Sequence, residues 1–442
     1  MIRDVLHLRA PGNWMNDPNG FIFFRGKYHL FYQYFPYGTM WGTMHWGHAV
    51  SEDLVRWEHL DIGLFPTKGY DRNGVFSGSA LEKDGKLYLY YSAVRYLKED
   101  AENIHYAPHD GYETSQALLV SENGIEFDNW NGKQQIIPVS RDEEIMDAVH
   151  TRDPKVWKSG GTYYMVLGST WQKKMGRAVF YRSGDGVNWE YANQLRDGQF
   201  GKILECPDIF RMGEEYIFLG SPMYVGENKP GYQHYAVCAR AAFEEDTCRL
   251  TLLSECRYMD YGLDLYAAQT NLDEMGRRVM FAWMRMPEAV RASDRKPWIG
   301  MMCLPRVIEI VEGYIYFRVH PNVEGYFAEE TAVKDRLTEM PCRIKTTLSE
   351  GESLDIGGYR IWIEEDVVWT DRSKVFMGGG NHKLVSTTPK LMGKYELDIF
   401  VSENLIEVFV NNGQYVISNV VYGLGVQIQG YIEKMCIPDL ES

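Results

Sequence analysis

One local pattern recurs along the first two thirds of the sequence: a glycine turn followed by a strand-like run rich in aromatic residues. Each turn with its flanking runs is typical of a β-hairpin. The turns lie at Gly26, Gly85, Gly161, Gly213 and Gly276. Three units also end in similar words, at residues 51–57, 121–127 and 183–189. Five units with about four strands each predict a five-bladed β-propeller.

The spacing between these turns is irregular, at 59, 76, 52 and 63 residues. The pattern alone therefore also allows a β-sandwich or an open barrel. Aromatic residues make up 14% of the chain, and such side chains suit pleated strands, while exposed rings stack well on sugar faces. We expect an all-β fold in each of these cases.

A chain of 442 residues is expected to contain two domains. The repeat stops after residues 304–306, and the segment 321–340 carries charges at helix-like spacing, which indicates a linker. From residue 341 to 442 short strands alternate with turns, and Asn412-Gly413 is a strong hairpin signal. We therefore expect a propeller domain at 1–320, a linker, and a small C-terminal β-sandwich domain at 341–442.

The formal net charge is −15 without any cluster of Lys and Arg. This balance argues against nucleic acid or an anionic membrane as a partner. The start of the sequence lacks a signal-peptide core, and no run approaches the roughly 20 apolar residues of a membrane span. The seven cysteines form no C-x-x-C pair, so neither a zinc site nor a disulfide framework is indicated. These features favour a cytoplasmic protein, and an edge of the predicted sandwich would allow two copies to pair as a homo-oligomer.

Three acidic residues occupy matching places in the repeat. Asp17, Asp153 and Glu205 each stand eight or nine residues before the glycine turn of units one, three and four. If the units are blades, each acid begins an innermost strand and all three point into one central pocket. Crowded carboxylates raise one another's pKa, and such clusters are rare unless they are used. The alternative is that they are three unrelated turn carboxylates that cap strand ends.

Glycoside hydrolysis is the chemistry that needs two carboxylates at a fixed distance, one ionised and one protonated. A third carboxylate would bind sugar hydroxyls and favour the developing oxocarbenium charge. A small-molecule sugar substrate is therefore expected.

A series of short motifs carries a family resemblance. In chain order they are WMNDPNG (14–20), FYQ (31–33), WGHAVS (46–51), FSGS (76–79), RDP (152–154), ECPD (205–208), DLYAAQ (264–269), LPR (304–306) and IEVFVNNG (406–413). This series resembles glycoside hydrolase family 32, which includes invertases, sucrose-6-phosphate hydrolases, inulinases and levanases. The resemblance covers nearly the whole chain and implies a five-bladed propeller followed by a β-sandwich.

The resemblance also implies roles for individual residues in a retaining reaction on β-fructosides that needs neither a cofactor nor a metal. Asp17 matches the nucleophile, Glu205 the acid/base, and Asp153 the residue that grips fructose hydroxyls and stabilises the transition state. Further residues match the fructose-binding positions: Asn16, Gln33, Trp41, Phe76, Ser77 and Arg152, with Tyr266 and Trp283 nearer the rim of the pocket. Two positions depart from the family, Phe35 where Asn is usual and Cys238 where Gly is common. Phe35 bears on the preference for the leaving group.

Three further residues allow other interpretations. His45 and His48 fall on opposite faces of a predicted strand with no evident third ligand, so we expect no metal there. Cys206 lacks a His or Asn partner, so it is interpreted as a small residue that tunes the neighbouring acid rather than as a nucleophile.

The leading hypothesis is a β-fructofuranosidase that cleaves sucrose or short fructo-oligosaccharides. Two alternatives share its chemistry: a sucrose-6-phosphate hydrolase and a fructosyltransferase. A non-catalytic sugar-binding propeller is the alternative from another class, and it would have no need of both a nucleophile and an acid.

Overall fold

The computed structural model describes residues 2–226, 233–333, 335–378 and 382–438, and the chain is built mostly of β-strands. In these residues no helix is both long and apolar enough to cross a membrane. Short 3₁₀ turns occur at Pro108–Asp110, Gly198–Phe200 and Ser373–Val375. The pairing of the strands therefore defines the architecture.

Up to residue 319 the described strands form five sheets that follow one another along the chain. Sheet one contains β1 (Arg3–Val5), β2 (Asn13–Phe24), β3 (Lys27–Phe35), β4 (His45–Ser51) and β5 (Arg56–His59). Sheet two contains β6 (Val75–Lys83), β7 (Lys86–Tyr96), β8 (Tyr112–Ser121) and β9 (Lys133–Ile137). Sheet three contains β10 (Arg152–Ser159), β11 (Thr162–Trp171), β12 (Met175–Ser183) and β13 (Glu190–Arg196). Neighbouring strands within these sheets pair antiparallel.

Sheets four and five continue this order. Sheet four contains β14 (Ile203–Met212), β15 (Glu215–Met223), β16 (Val237–Glu244), β17 (Arg249–Leu252) and β18 (Arg257–Tyr258). Sheet five contains β19 (Leu265–Leu272) and β20 (Arg278–Met284), then β22 (Met301–Met302), β23 (Arg306–Val311) and β24 (Tyr314–Val319), after an intervening β21 (Trp298–Ile299). Strand β21 pairs in parallel with β2 instead, so the end of the series is joined to its beginning.

The hairpins within the sheets form where the glycine turns are. Arg25 and Gly26 between β2 and β3 have φ of +50° and +81°, and Asp84 and Gly85 between β6 and β7 have +52° and +72°. Two successive residues at positive φ make the type I′ turn, whose twist matches that of the flanking strands. The second residue is glycine in both turns because it has no Cβ to clash.

The similar words that end three of the units share one turn. Ser51, Ser121 and Ser183 each accept, on the hydroxyl oxygen, a hydrogen bond from the backbone N–H three residues later, at 2.8, 2.9 and 2.9 Å. The Asp or Asn two residues after each serine accepts from the next backbone groups. This local hydrogen bonding turns the chain toward the outer strand without help from the core.

One strand of each sheet, its inner strand, lies at a common centre. Strand β2 packs against β6, β6 against β10, β10 against β14, β14 against β19, and β19 again against β2. Polar side chains link these neighbours: Ser79 donates to the carbonyl of Pro154 at 2.7 Å, and Lys155 pairs with Asp208 at 3.1 Å. Gln269 donates to the carbonyl of Gly78 at 2.7 Å. The ring is closed by side chains as well as by packing.

The remaining chain begins with helix α1 and continues as two further sheets. Its elements are α1 (Pro321–Tyr326), β25 (Glu329–Thr331), β26 (Cys342–Leu348), β27 (Ser353–Ile356), β28 (Tyr359–Glu364), β29 (Val367–Asp371), β30 (Val385–Thr387), β31 (Tyr395–Val401), β32 (Leu405–Val410), β33 (Tyr415–Val420), β34 (Ile428–Gln429) and β35 (Lys434–Ile437). One sheet has the order β25-β35-β26-β31-β32-β33 and the other β30-β29-β28-β27-β34. Aliphatic residues of both sheets form one hydrophobic cluster between them.

The segment 321–340, for which the sequence predicts a linker, is structured in part. Helix α1 begins with Pro321, and the side chain of His320 accepts from the N–H of Asn322 as its N-cap. Strand β25 pairs antiparallel with β35. This segment therefore contributes an edge strand to the C-terminal sheet, because residues near the end of the chain return to pair with it.

Candidate active site

A cavity of about 350 Å³ opens at the centre of the ring. All eleven residues that the sequence singles out line it: Asn16, Asp17, Gln33, Trp41, Phe76, Ser77, Arg152, Asp153, Glu205, Tyr266 and Trp283. The side chains come from all five sheets, so only the closed ring brings them together.

Each inner strand is irregular where it meets the cavity. The pairing register shifts between residues 15 and 18 of β2, 76 and 78 of β6, 152 and 155 of β10, 205 and 208 of β14, and 266 and 269 of β19. Such β-bulges re-aim side chains and are common beside active sites. Asp153, Cys206 and Ala267 lie in three of these bulges with φ of +64°, +45° and +55°. Backbone strain of this kind persists only where the surroundings enforce it.

Asp17 lines the cavity, where it is partly buried and held by three donors. The hydroxyl of Ser77 donates to its Oδ2 at 2.6 Å and the amide of Asn16 to its Oδ1 at 3.1 Å. The thiol sulfur of Cys206 lies 3.6 Å from Oδ2. Burial and the nearby charge of Glu205 raise the pKa of Asp17 to about 6, although the hydrogen bonds act against this shift.

Asp153, on the inner strand β10, faces the thiol of Cys206 as well. Its Oδ2 accepts a hydrogen bond from the backbone N–H of Cys206 at 2.9 Å and lies 3.6 Å from the Cys206 sulfur. Its own N–H donates to the hydroxyl of Ser92 at 2.9 Å, which fixes the strained backbone. Burial raises the pKa of Asp153 to about 7; the charge of Arg152 opposes the shift, and those of Glu205 and Asp17 add to it.

Glu205 is held by a cation and a phenol. Arg152 donates to Oε1 from Nε at 3.0 Å and from Nη2 at 2.8 Å, and the hydroxyl of Tyr266 donates to Oε2 at 2.7 Å. Burial acts to raise the pKa of Glu205, but the Arg152 charge and these hydrogen bonds outweigh it and leave the pKa below its ordinary value. In the free pocket the negative charge therefore rests on Glu205, whereas Asp17 and Asp153 hold protons more readily.

Three carboxylates and one guanidinium share this buried space, so their protonation is coupled. A site with two readily protonated acids beside an ionised one can both give and accept a proton near neutral pH. It can also present a carboxylate to an electron-poor carbon. The arrangement is suited to acid–base and nucleophilic chemistry on an uncharged substrate.

Seven cavity residues were not singled out as site residues from the sequence: Trp14, Val94, Tyr96, Tyr106, Ala107, Tyr112 and His234. Trp14 stands in the first motif, and its indole donates to Asn16 at 2.7 Å, so the motif itself contained that signal. Five of the others come from the end of β7, the loop after it and the start of β8, where no local pattern marks them. The sequence predicts that Cys206 tunes its neighbour Glu205, and in the structure its sulfur lies 3.6 Å from carboxylate oxygens of both Asp17 and Asp153.

The two departures from the family pattern lie outside the cavity lining. Phe35 is buried, and its ring packs against that of His105, with centroids 4.8 Å apart. It lies against Gly42, next to Trp41 of the cavity wall. Cys238, in β16 of sheet four, is buried in the hydrophobic core. Phe35 thus supports the loop that carries Trp41 rather than touching a ligand itself.

The two histidines considered as metal ligands have other contacts. His48 and His29 approach within 3.0 Å through ring nitrogens, and His45 lies 2.9 Å from the carbonyl of Thr43. Among the residues that the structure describes, no group of three or more His, Cys, Asp or Glu could hold a metal ion.

Comparison with known proteins gives a consistent result over most of the chain. Residues 7–321 match the glycosyl hydrolases family 32 N-terminal domain, and residues 358–430 match the glycosyl hydrolases family 32 C-terminal domain. A sucrose-6-phosphate hydrolase of Escherichia coli is 31% identical over 94% of this chain and 88% of its own length. A raffinose invertase of Escherichia coli is 31% identical over 95% and 89%.

Solved structures agree. The GH32 beta-fructofuranosidase of Bombyx mori has a TM-score of 0.80 and 28% identity over 97% of this chain and 91% of that one. A mutant of the same enzyme has been solved in complex with sucrose. Because the two family models together cover most of the sequence, the chain belongs to glycoside hydrolase family 32.

Proposed function

We propose that the protein is a retaining β-fructofuranosidase that releases terminal β-fructose from sucrose or short fructo-oligosaccharides without a cofactor. The observation that carries this is the convergence of Asp17, Asp153 and Glu205 in one cavity. The names of the relatives support a fructoside as substrate. The size of the cavity, about 350 Å³, suits one sugar ring with part of a second.

In the first step Asp17 attacks the anomeric carbon C2 of the fructosyl unit while Glu205 protonates the leaving oxygen. The bond between C2 and that oxygen breaks, and a covalent fructosyl-aspartate forms. In the second step water gives a proton to Glu205 and its oxygen attacks C2, which releases Asp17. Two inversions at C2 retain the configuration.

The reaction needs Asp17 ionised and Glu205 protonated, which is the reverse of the distribution in the free pocket. Hydroxyl donors of a bound fructose favour the charged forms of Asp17 and Asp153. Once both carry charge, their repulsion raises the pKa of Glu205. Substrate binding thereby moves the proton to the residue that must deliver it, and it also displaces water that would screen these charges.

The remaining residues would hold the fructosyl unit. Asn16 and Ser77 orient Asp17 through the hydrogen bonds described above, and Asp153 would accept from ring hydroxyls. Gln33 donates to the carbonyl of Val75 at 3.1 Å, which leaves its amide oxygen available for a sugar hydroxyl. Trp41 and Phe76, whose rings lie 5.8 Å apart, would pack against the sugar face, with Trp283 at the rim.

The test compares Asp17→Asn and Glu205→Gln with wild type in fructose release from sucrose. Each variant is expected to lower kcat by about four orders of magnitude or more, because each removes a group that acts on the reacting bond. Retention by Glu205→Gln of cleavage for a fructoside with an acidic leaving group would separate the acid role from the nucleophile role. Near wild-type activity in either variant would refute its assignment.

The domain organisation that we propose is a five-bladed β-propeller at 1–320, a linker at 321–340 and a β-sandwich at 341–442. The ring of five inner strands supports the first part and the two facing sheets support the last. We also propose a cytoplasmic location. All seven cysteines are free thiols, as expected in a reducing compartment.

A further inference from the structure

The position of Glu205 locates the leaving group, provided that the proposed function holds. Since Glu205 must protonate the leaving oxygen, the sugar that departs lies beside it. The described residues around Glu205 on the cavity wall are Arg152, Tyr112, Tyr266 and His234. Of the described residues, these side chains bear most directly on whether the leaving sugar can carry a charge.

The cations near this wall already have anionic or carbonyl partners. Arg152 directs two of its nitrogens at Glu205. Arg285 lies behind Tyr266, with its guanidinium 4.9 Å from the ring centroid, and donates to the carbonyl of His234 at 3.1 Å. Lys173 pairs with Asp110 at 2.9 Å. None of the described cations is aimed at the cavity without a partner of its own.

Histidine does not fill this gap. Burial lowers the pKa of His234, although the charge of Glu205 acts against the shift, so burial favours the neutral ring. His150 touches Arg152 at 3.3 Å and lies 3.6 Å from Asp110; burial and the charge of Arg152 lower its pKa as well. Among the described residues that line the cavity, three carboxylates thus stand against one guanidinium.

The rest of the wall is apolar and aromatic. Val94, Tyr96 and Ala107 line it together with Tyr106, a residue that is 50% exposed. Exposed rings of this kind stack on the C–H faces of neutral sugars. A phosphate dianion instead requires Arg or Lys forks or a row of backbone N–H groups, and it is repelled by nearby carboxylates.

We propose that the leaving-group side of this cavity selects a neutral sugar, so that the protein cleaves sucrose or a short fructo-oligosaccharide in preference to sucrose 6-phosphate.

The first experiment compares kcat/KM for sucrose and for sucrose 6-phosphate on the wild-type chain. We expect sucrose to be favoured by about tenfold or more, the scale of one unfavourable charge contact in a partly buried site. A smaller ratio, or a preference for the phosphorylated sugar, would overturn the inference while leaving the proposed function intact. Cleavage of neither sugar, nor of a kestose-type trisaccharide, by the folded protein would overturn the proposed function and the inference with it.

A second experiment adds a cation to the described part of this wall. Tyr106→Arg places a guanidinium at the exposed rim, and Tyr106→Gln is its matched control without charge. Relative to the Gln variant, the Arg variant is expected to raise kcat/KM for sucrose 6-phosphate by about fivefold or more, with a smaller change for sucrose. Added salt should reduce that gain, because it screens an exposed charge. If the two variants discriminated equally between sucrose and sucrose 6-phosphate, the inference that charge excludes the phosphate would be wrong.

Discussion

At the scale of single residues, the cavity is a place where burial and mutual repulsion act against stability. Asp17 and Asp153 lose water on folding and face a third carboxylate, so both bind protons more tightly than they do in the unfolded chain. Hydrogen bonds from Ser77, Asn16 and Cys206 recover only part of this loss. Such unfavourable placement is the usual consequence of assembling a site for catalysis.

Asp17→Asn should stabilise the fold while it removes activity. The folded-state pKa of about 6 lies above the ordinary 3.8, so the folded state binds more protons between these values and the free energy of unfolding falls as pH rises through them. The loss persists above pH 6. Replacing the carboxylate by an uncharged amide should therefore raise the free energy of unfolding at pH 7 by on the order of 2 kcal/mol.

The control for this prediction is pH itself. In urea unfolding near pH 3.5, where the folded-state carboxylate is protonated, the advantage of Asp17→Asn over wild type should nearly vanish. An advantage that stays the same at both pH values would show that it does not come from charge.

The fall of kcat/KM at low pH, which is the acidic limb of the pH profile, should reflect the protonation of Asp17. Since Asp17 attacks in its ionised form, kcat/KM is expected to fall as pH drops through about 6. The hydrogen bond from Ser77 lowers the pKa of Asp17, so Ser77→Ala should move this limb to higher pH. The measurement is kcat/KM on sucrose across pH, with Ser79→Ala as the neighbouring hydroxyl that does not contact Asp17. A limb that moves to lower pH in Ser77→Ala would contradict the assignment.

At the scale of elements, the five inner strands do more than form a ring. Each carries a bulge at the cavity, and the bulge is what aims consecutive residues such as Arg152 and Asp153 into one space. Side chains next to the bulges then link one sheet to the next, as Gln269 does by donating to Gly78. The strands therefore position the site and hold the ring closed with the same few residues.

A substitution at Gly78 tests this arrangement directly. A Cβ on Gly78 would lie 1.9 Å from the backbone oxygen of Tyr90, so the hairpin of β6 and β7 would have to shift. Gly78→Ala should therefore lower the free energy of unfolding by about 2 kcal/mol or more and reduce kcat through Ser77. Gly69→Ala is the matched control, because a Cβ there meets nothing within 4 Å. Equal stability of the two variants in urea unfolding would contradict this account.

At the scale of the whole molecule, buried ion pairs join the ring of sheets to the C-terminal sheets. Arg306 is completely buried and pairs with Asp260 at 2.9 Å and with Glu407 at 2.7 Å. Arg372, from the C-terminal part, donates to Asp264 at 3.0 Å. Asp264, Arg306 and Glu407 belong to three of the late motifs, and these three side chains serve the junction between the two parts, whereas Tyr266 of the same motif as Asp264 lines the cavity.

Arg306→Met should weaken this junction strongly. It would leave the carboxylates of Asp260 and Glu407 buried without their cation, a change that typically lowers the free energy of unfolding by about 3–5 kcal/mol. Lys434→Met is the control, since its pair with Glu330 is exposed and exposed pairs contribute little to stability. Urea unfolding followed by tryptophan fluorescence compares the two, and a similar small loss in both would show that the buried network is dispensable.

The sequence by itself determined the local features of this protein. Glycine turns such as Gly26, the serine-led turns and the three acid motifs are set by interactions within a few residues, so their hairpins, strands and shared offset from the turns can be read directly. The order of the motifs was also sufficient to place the chain in its family.

Only the tertiary structure decided what these features face. Tyr112 and His234 line the cavity without any local pattern, because their place depends on how sheets two and four close around the centre. The ionisation of Glu205 depends on Arg152 and Tyr266, which come from other sheets. How close these side chains come to Glu205 cannot be read from any local stretch of the sequence. The segment 321–340 joined a sheet for the same reason: its partner strand lies at the far end of the chain.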